Sequence, residues 1–408
     1  MTALPPQYPQ GRALGSKGSS PASKRKWLKP ALIVSAVVLL IGIGFAWKAG
    51  FVLNKISSKD GGIFSSLIKS LPGVANELKG EKDGRINILL LGMRGEHMEG
   101  GGLLSDTIMV LSIHPPQKEG DQPKASLVSI PRDLYVTVPG TSDKAKINAV
   151  HAYGEQKGQG QGNEAMKEII SEVTGQPIHY VVSISFKGFT DLVDALGGVD
   201  VTLKEPFNES VQFRQPHVCD PYVFTEPAID PVTKKQMVER KYHKKLGSVS
   251  GLKRVAKEYP LCYNKDVECG GVFELPAGVN HLDGGKALCY ARARYTSSDF
   301  ERAKRQQAVI QAIREKALSV GTLADFSKVN GILNALGDNV RTDMQPWEMK
   351  RFFEMYPKMQ SVQPSQKVLD NTEEGLLYNP PETKETGYIL LPIGDNYDRI
   401  KELFKTLP

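Results

Sequence analysis

Apolar positions along the chain follow several distinct patterns. From Ala31 to Trp47 they run almost without interruption and continue through Phe51-Val52-Leu53, roughly the length needed to cross a hydrocarbon core of ~30 Å. Beyond Ile86 the runs shorten to strand length, at Ile86–Gly92, Ser105–Ile113, Ala125–Ile130, Tyr180–Ser185 and Val199–Leu203. The first of these is nearly all apolar, as expected of a strand covered on both faces of an α/β sheet. Between them Asn163–Val173 and Phe186–Leu196 carry helical spacing, the second closed by Gly197-Gly198. Past Ser319 the spacing predicts helices over Leu323–Leu336 and Pro346–Tyr356, then a last strand and helix, Tyr388–Leu391 and Asn396–Leu407. The pattern fails over residues 205–271, which read as a surface insertion. The expected division is a disordered basic tail (1–28), an anchor (29–53), a stalk (54–84), a main domain (85–320) and a C-terminal α/β extension (321–408).

One stretch organises the main domain. Leu288 to Tyr295 alternates, so an extended strand would place Arg292 and Arg294 on one side and Ala291 and Ala293 on the other. Ser298 with Glu301 then forms a capping box, and Asp299 occupies the first helical turn, where the macrodipole favours a carboxylate. The helix carries Ala303, Ile310, Ile313 and Ala317 on a buried stripe, with Arg302 and Gln306 one turn apart beside it. Positive charge gathered at one mouth suits a pyrophosphate; a solvated basic strand edge is the alternative. Asp106 opens a strand after a glycine-rich loop, where a carboxylate can hold a hard cation or merely cap a turn. Arg132 follows Pro131 at a strand end, the side of an open α/β sheet where ligands bind, although a turn with a local ion pair to Asp133 also fits. Lys146 and Asn148 stand two apart and share a face if extended.

The 408 residues suffice for one large or two ordinary domains. Their net charge of +7 is concentrated at the start. Arg12, Lys17, Lys24, Arg25, Lys26 and Lys29 precede any acid, which leaves +1 for the rest. A near-neutral body lacks the basic footprint of a nucleic-acid binder. The same basic cluster flanks the apolar run on its N-terminal side, with Trp27 and Trp47 at the two ends. By the positive-inside rule the N-terminus is cytoplasmic, and the chain after Leu53 lies outside a single-pass cell-membrane anchor. A cleaved signal peptide is the rival, but Phe45-Ala46-Trp47 offers no small-residue cleavage site. Outside the cytoplasm disulfides are permitted. Cys289, mid-strand, is expected to be a buried free thiol, leaving Cys262 to pair with Cys269 or Cys219. No Ser-His-Asp or Cys-His set and no phosphate-binding P-loop is evident.

Taken in order, Asn87–Gly92, Ser105–Met109, Ser129–Asp133, Lys146–Ala149, Leu192–Val201 and Ala287–Gln307 resemble the LytR-CpsA-Psr family of membrane-anchored cell-wall proteins. The resemblance implies an α-β-α sandwich with a mixed central sheet, enclosing a tunnel for a polyisoprenyl chain with a charged mouth for its pyrophosphate. It implies transfer of a glycopolymer from undecaprenyl pyrophosphate to a muramic acid hydroxyl of peptidoglycan, forming a phosphodiester. On that pattern Asp106 holds Mg²⁺ (or Mn²⁺), while Arg132, Arg292, Arg294 and Arg302 grip the phosphates. Lys146, Asn148, Asp299 and Gln306 line the same mouth, with Asp299 the candidate base. Phe186, Phe189, Leu192 and Val193 are candidates for the tunnel wall or for ordinary core. One departure stands out: where the family usually has a second metal-side aspartate this chain has Arg94, so that Glu96 or Glu99 substitutes, or the metal has fewer protein ligands, or Arg94 itself neutralises phosphate. The rivals are a non-catalytic binder of polyprenyl-linked glycans and a pyrophosphate hydrolase.

Overall fold

The computed structural model describes residues 77–95, 102–118, 120–209, 273–294, 297–319, 326–359, 362–373 and 375–408, and three short strands within 210–272. The tail, the expected anchor and most of the stalk lie outside the described residues, as do Glu96 and Glu99. Among the described residues no helix is long and apolar enough to cross a membrane.

β1 (Ile86–Met93) pairs antiparallel with β2 (Ser105–His114), and β2 antiparallel with β3 (Lys124–Ser129). A hairpin of β4 (Tyr135–Thr137) and β5 (Lys144–Lys146), then α1 (Val150–Lys157) and α2 (Gln161–Thr174), lead to β6 (Tyr180–Ser185), which returns parallel to β1. α3 (Phe186–Ala195) follows at once, capped by Ser185, whose hydroxyl accepts from the Gly188 amide. Gly197 and Gly198, both at positive φ, reverse the chain into β7 (Val199–Leu203). Beyond the insertion come β8 (Gly278–Leu282), antiparallel to β7, then α4 (Gly284–Arg292) and α5 (Asp299–Ala317). The chain closes with α6 (Phe326–Asn339), β9 (Val340–Thr342), α7 (Pro346–Met359), β10 (Ser365–Val368) and α8 (Asp398–Thr406).

The central sheet has six strands in the order β9-β6-β1-β2-β3-β10, antiparallel at the β9 edge and parallel at the β10 edge. It is a mixed sheet. Both edge strands come from residues beyond 320, so the C-terminal segment is built into the same sheet. One face is sealed: Leu89, Leu91, Ile108, Val110 and Val128 pack on Met166, Ile169, Ile170 and Val173 of α2 and on Ile400 and Phe404 of α8. Each such side chain contributes ~1.5–3 kcal/mol on burial. The other face meets α7 through Met355 and Phe352, and α5 through Gln307. Leu90, Leu111, Val182 and Ile184 on that face stay only partly buried.

Two expectations need correction. Leu288–Tyr295 is not a strand; it begins inside a helix, α4, whose N-cap Asp283 accepts from the Lys286 amide at 2.8 Å. Ala287, Tyr290 and Ala291 form its buried face, a helical period that the short Ala-Arg alternation masks. Cys289 is not a free thiol but disulfide-bonded, its partner being one of the three cysteines of the insertion. The insertion itself is not without regular structure. Val223–Glu226, Arg240–His243 and Lys257–Glu258 form a three-stranded sheet, and its base is closed where Phe207–Asn208 pairs with Glu274–Leu275.

Candidate functional site

The parallel alignment of β1, β3 and β6 brings their carboxyl ends to one edge of the sheet, and the site lies there. The β1/β2 register shifts at Gly92/Met93, opposite the start of β2, where Asp106 is the second residue. Arg132 sits in the turn after β3, and its Nη1 donates to Asp106 Oδ1 at 2.8 Å. Its Nε lies 3.5 Å from both Asp133 Oδ2 and Asp299 Oδ2. Burial alone would lower the Arg132 pKa, but Asp106, Asp299 and Asp133 together outweigh it and raise it. Lys146 Nζ donates to Asp133 Oδ1 at 2.7 Å. Lys146 and Asn148 do not share an extended face, because a 3-10 turn begins at Ile147. Asn148 instead serves through its backbone, whose amide donates to the Arg132 carbonyl at 3.2 Å.

Asp299, first residue of α5, gathers three guanidinium groups: Arg302 at 3.2 Å, Arg132 at 3.5 Å and Arg294 at 3.7 Å. Arg302 is buried, and its Nε has no hydrogen-bond partner. Burial pushes its pKa down to about 10; Asp299 opposes this, while Arg132 and Arg294 add to it. Arg292, the last residue of α4, lies 4.8 Å over the Phe186 ring. Its pKa is lowered by burial and then by Arg94. Arg292 and Arg294 thus border the same mouth although no strand carries them. Gln306 turns back, donating to the Ala291 carbonyl at 3.2 Å, and so holds the last turn of α4 rather than facing the mouth.

Three contributors escaped the sequence reading. Asp133 joins Arg132 to Lys146 instead of forming a merely local pair. Arg305, buried, donates from Nε to the Tyr290 carbonyl at 3.2 Å and from Nη2 to Ser297 Oγ at 2.9 Å and to the Ala293 carbonyl. It therefore closes the C-terminus of α4 and fixes the turn that bears Arg294. Its position beside Gln306 on the α5 helix was the available signal. The third is Tyr388, whose segment hydrogen-bonds to the Arg132 turn: the Leu390 amide donates to the Asp133 carbonyl at 2.9 Å. Of the expected tunnel residues, Val193 is fully buried core, while Phe186, Phe189 and Leu192 are partly buried.

For a divalent cation the described residues do not fit. Asp106 is a single carboxylate already paired with Arg132, position 94 is an arginine, and among the described residues no three His, Cys, Asp or Glu side chains are placed to share one ion.

Four arginines, one lysine and three carboxylates thus meet at one edge of a mixed α/β sheet, a set of charges suited to an anionic ligand. The LytR_cpsA_psr family model matches residues 64–387, and the chain belongs to that family. The chain is 28% identical over 249 residues to the polyisoprenyl-teichoic acid–peptidoglycan teichoic acid transferase TagU of Enterococcus faecalis, covering 60% of this chain and 57% of that protein. It is 24% identical over 383 residues to TagV of Bacillus subtilis, covering 93% and 78%, and 25% identical to TagT of the same organism, covering 83% and 84%. The crystal structure of B. subtilis TagV aligns with a TM-score of 0.49 at 21% identity, over 79% of this chain and 97% of that one.

Proposed function

We propose that this protein is a membrane-anchored, extracytoplasmic transferase that moves a glycopolymer from a polyprenyl pyrophosphate carrier to peptidoglycan. The observation that carries the reading is Arg302, a buried guanidinium with an unpartnered Nε among like charges. Such a group is under-compensated until an anion arrives. Arginine forks suit pyrophosphate oxygens, and Arg132, Arg292 and Arg294 stand beside it. Leu90, Leu111, Val182 and Ile184 stay only partly buried on the sheet face that meets Leu333, Leu336, Met349 and Phe352 of α6 and α7, an apolar layer suited to a polyprenyl chain. The names of the TagU, TagV and TagT relatives support the same donor and acceptor classes. The apolar run 29–53 with its basic flank supports the anchor.

The chemistry is phosphoryl transfer, which needs positioning and charge neutralisation more than a covalent nucleophile. A muramic acid hydroxyl attacks the phosphorus that bears the glycan. The bond from that phosphorus to the bridging oxygen breaks, polyprenyl monophosphate departs, and the phosphate now links glycan to acceptor. The hydroxyl proton passes to a carboxylate of the mouth, for which Asp299 is assigned. Arg132, Arg292, Arg294 and Arg302 hold the pyrophosphate oxygens as charge shifts to the leaving group.

The test is full-length protein in detergent with a short-chain polyprenyl pyrophosphate glycan and peptidoglycan oligomers, with and without Mg²⁺, followed by mass spectrometry. A phosphodiester product that Arg132→Ala and Arg302→Ala abolish is the expected result. Tight donor binding without product would leave a non-catalytic binder, and release of glycan phosphate without acceptor a hydrolase.

A further inference from the structure

Tyr388 is among the few large apolar side chains that stay exposed in the described residues, at 37%. Its neighbours are not. Ile389 and Leu390 are buried at 6% and 2%, and the Ile389 carbonyl accepts from Asn379 Nδ2 at 2.7 Å. The Leu390 amide donates to the Asp133 carbonyl and its carbonyl accepts from the Tyr135 amide, each at 2.9 Å. Leu134 and Leu390 thereby form a parallel bridge. Tyr388 stands two residues before this bridge, as Arg132 stands two before Leu134, and is near enough to Asp133 and Asp299 for both carboxylates to act on its phenol. On its other side a closed turn over 383–387 leads into it. The Thr386 amide donates to Thr383 Oγ1 at 3.2 Å, the Gly387 amide to the Thr383 carbonyl at 2.9 Å, and Gly387 adopts φ 58. The ring is thus presented by a backbone that is fixed on both sides.

Its electrostatic surroundings say which flank of the mouth it borders. After burial, the mouth groups that raise the Tyr388 pKa are Asp133 and Asp299, the carboxylates, not the arginines. Arg292, by contrast, answers to Arg94, Asp106 and Arg294. The phenol stays protonated at neutral pH and makes no hydrogen bond among the described residues, so it is available as a donor. A rigid aromatic face with a polar tip, beside carboxylates able to accept a hydroxyl proton, matches a pyranose ring, whose axial C–H groups are apolar and whose rim is hydroxylated.

We propose that Tyr388 is the stacking platform of the acceptor subsite, receiving a sugar ring of the peptidoglycan strand and presenting its hydroxyl to the Asp133–Asp299 flank. This rests on the transferase reading above, which supplies the acceptor class. The donor's own sugar is the competing source of the same chemistry, and the carboxylate flank favours the acceptor: the proton to be removed is the acceptor's.

The experiment uses the full-length protein in detergent, with Tyr388→Ala, Tyr388→Phe and Tyr388→Trp. Binding of a labelled peptidoglycan oligosaccharide is measured by equilibrium dialysis in the absence of donor. Donor affinity is measured separately, with short-chain polyprenyl pyrophosphate bearing and lacking its glycan. Tyr388→Ala is expected to weaken oligosaccharide binding, and to raise the acceptor KM, by roughly 3- to 10-fold, with kcat at saturating acceptor and both donor affinities unchanged. The Phe and Trp variants, which keep the ring, are expected to stay within about twofold of wild type. Unchanged oligosaccharide binding in Tyr388→Ala overturns the proposal, as does a loss confined to the glycan-bearing donor, which would move Tyr388 to the donor side. Wild-type protein that binds the oligosaccharide through Tyr388 yet makes no product would sink the transferase reading alone. Product formation indifferent to Tyr388 would sink the acceptor subsite alone.

Discussion

The two ends of β1 each hold a desolvated arginine, and the contrast between them separates structure from function. At the amino end, Arg85 spends every nitrogen on a neutral acceptor of the fold: Nε on Asn87 Oδ1 at 3.1 Å, Nη1 on the Phe404 carbonyl at 2.7 Å, Nη2 on Ser112 Oγ at 3.1 Å. Asn87 in turn accepts from Ser112 Oγ at 2.7 Å and donates to the Pro177 carbonyl at 2.9 Å. At the carboxyl end, Arg302 shares one carboxylate with Arg132 and Arg294 and leaves its Nε unpaired. Burial lowers the pKa of both arginines. Only the second is held among other cations. A closed network stabilises the fold, whereas an open one holds free energy in reserve for a ligand.

The sharpest way to break this contrast is Arg132→Ala. It removes the cation that joins Asp106, Asp133 and Asp299, and turnover is expected to fall by at least about 100-fold, read from steady-state rates. Next, Arg302→Met is expected to cost roughly 10- to 100-fold in affinity for a short-chain polyprenyl pyrophosphate. The thermal midpoint of the ligand-free protein should hold or rise, since a buried, under-compensated charge is replaced by packing. A midpoint that drops by several degrees would make Arg302 as structural as Arg85. The converse variant, Arg85→Met, strands the Phe404 carbonyl and removes a donor from Asn87 and Ser112, and is expected to cost about 1–3 kcal/mol of stability in urea titrations, with donor affinity unchanged.

The smallest effect concerns pH at the amino end. His179 Nδ1 accepts the Asn87 amide at 3.0 Å, and burial lowers its pKa below 6.5, with the ordering of charges around it secondary. As pH falls through 6.5 the unfolded chain takes up this proton before the folded one, so stability declines below that value and is flat above it. His179→Asn should flatten the slope of the urea midpoint between pH 7.5 and 5.5, conditions bracketing that value. It should not abolish the slope, since His114 is also lowered by burial. An unchanged slope would remove His179 from the network.

Most strands were legible because each is a run of apolar residues too long for a turn and too short for a helix. Tyr180–Ser185 and Val199–Leu203 match their expected bounds, and Ser298 caps α5 as its spacing predicts, accepting from the Glu301 amide at 3.2 Å. The Leu288–Tyr295 segment was misread because four alternating residues satisfy both periods, and the helix was decided by Asp283 and by packing of Ala287 and Tyr290 in the core. The site followed the same division. Arg132, Arg292, Arg294, Arg302 and Asp299 do converge, but Gln306 turns to a backbone carbonyl and Asn148 acts through its amide.

By itself the sequence determined the α/β alternation, the family, and most but not all of the charged residues that meet at the mouth, since these depend on local period, caps and ordered motifs. Tertiary structure alone decided which charges are paired and which are left open. It drew β9 and β10 from beyond residue 320 into the sheet edges and laid the Tyr388 segment against the Arg132 turn. Those outcomes depend largely on contacts between residues far apart in the chain, such as Asp133 with Leu390 and Arg132 with Asp299, and no local pattern encodes a partner at that distance.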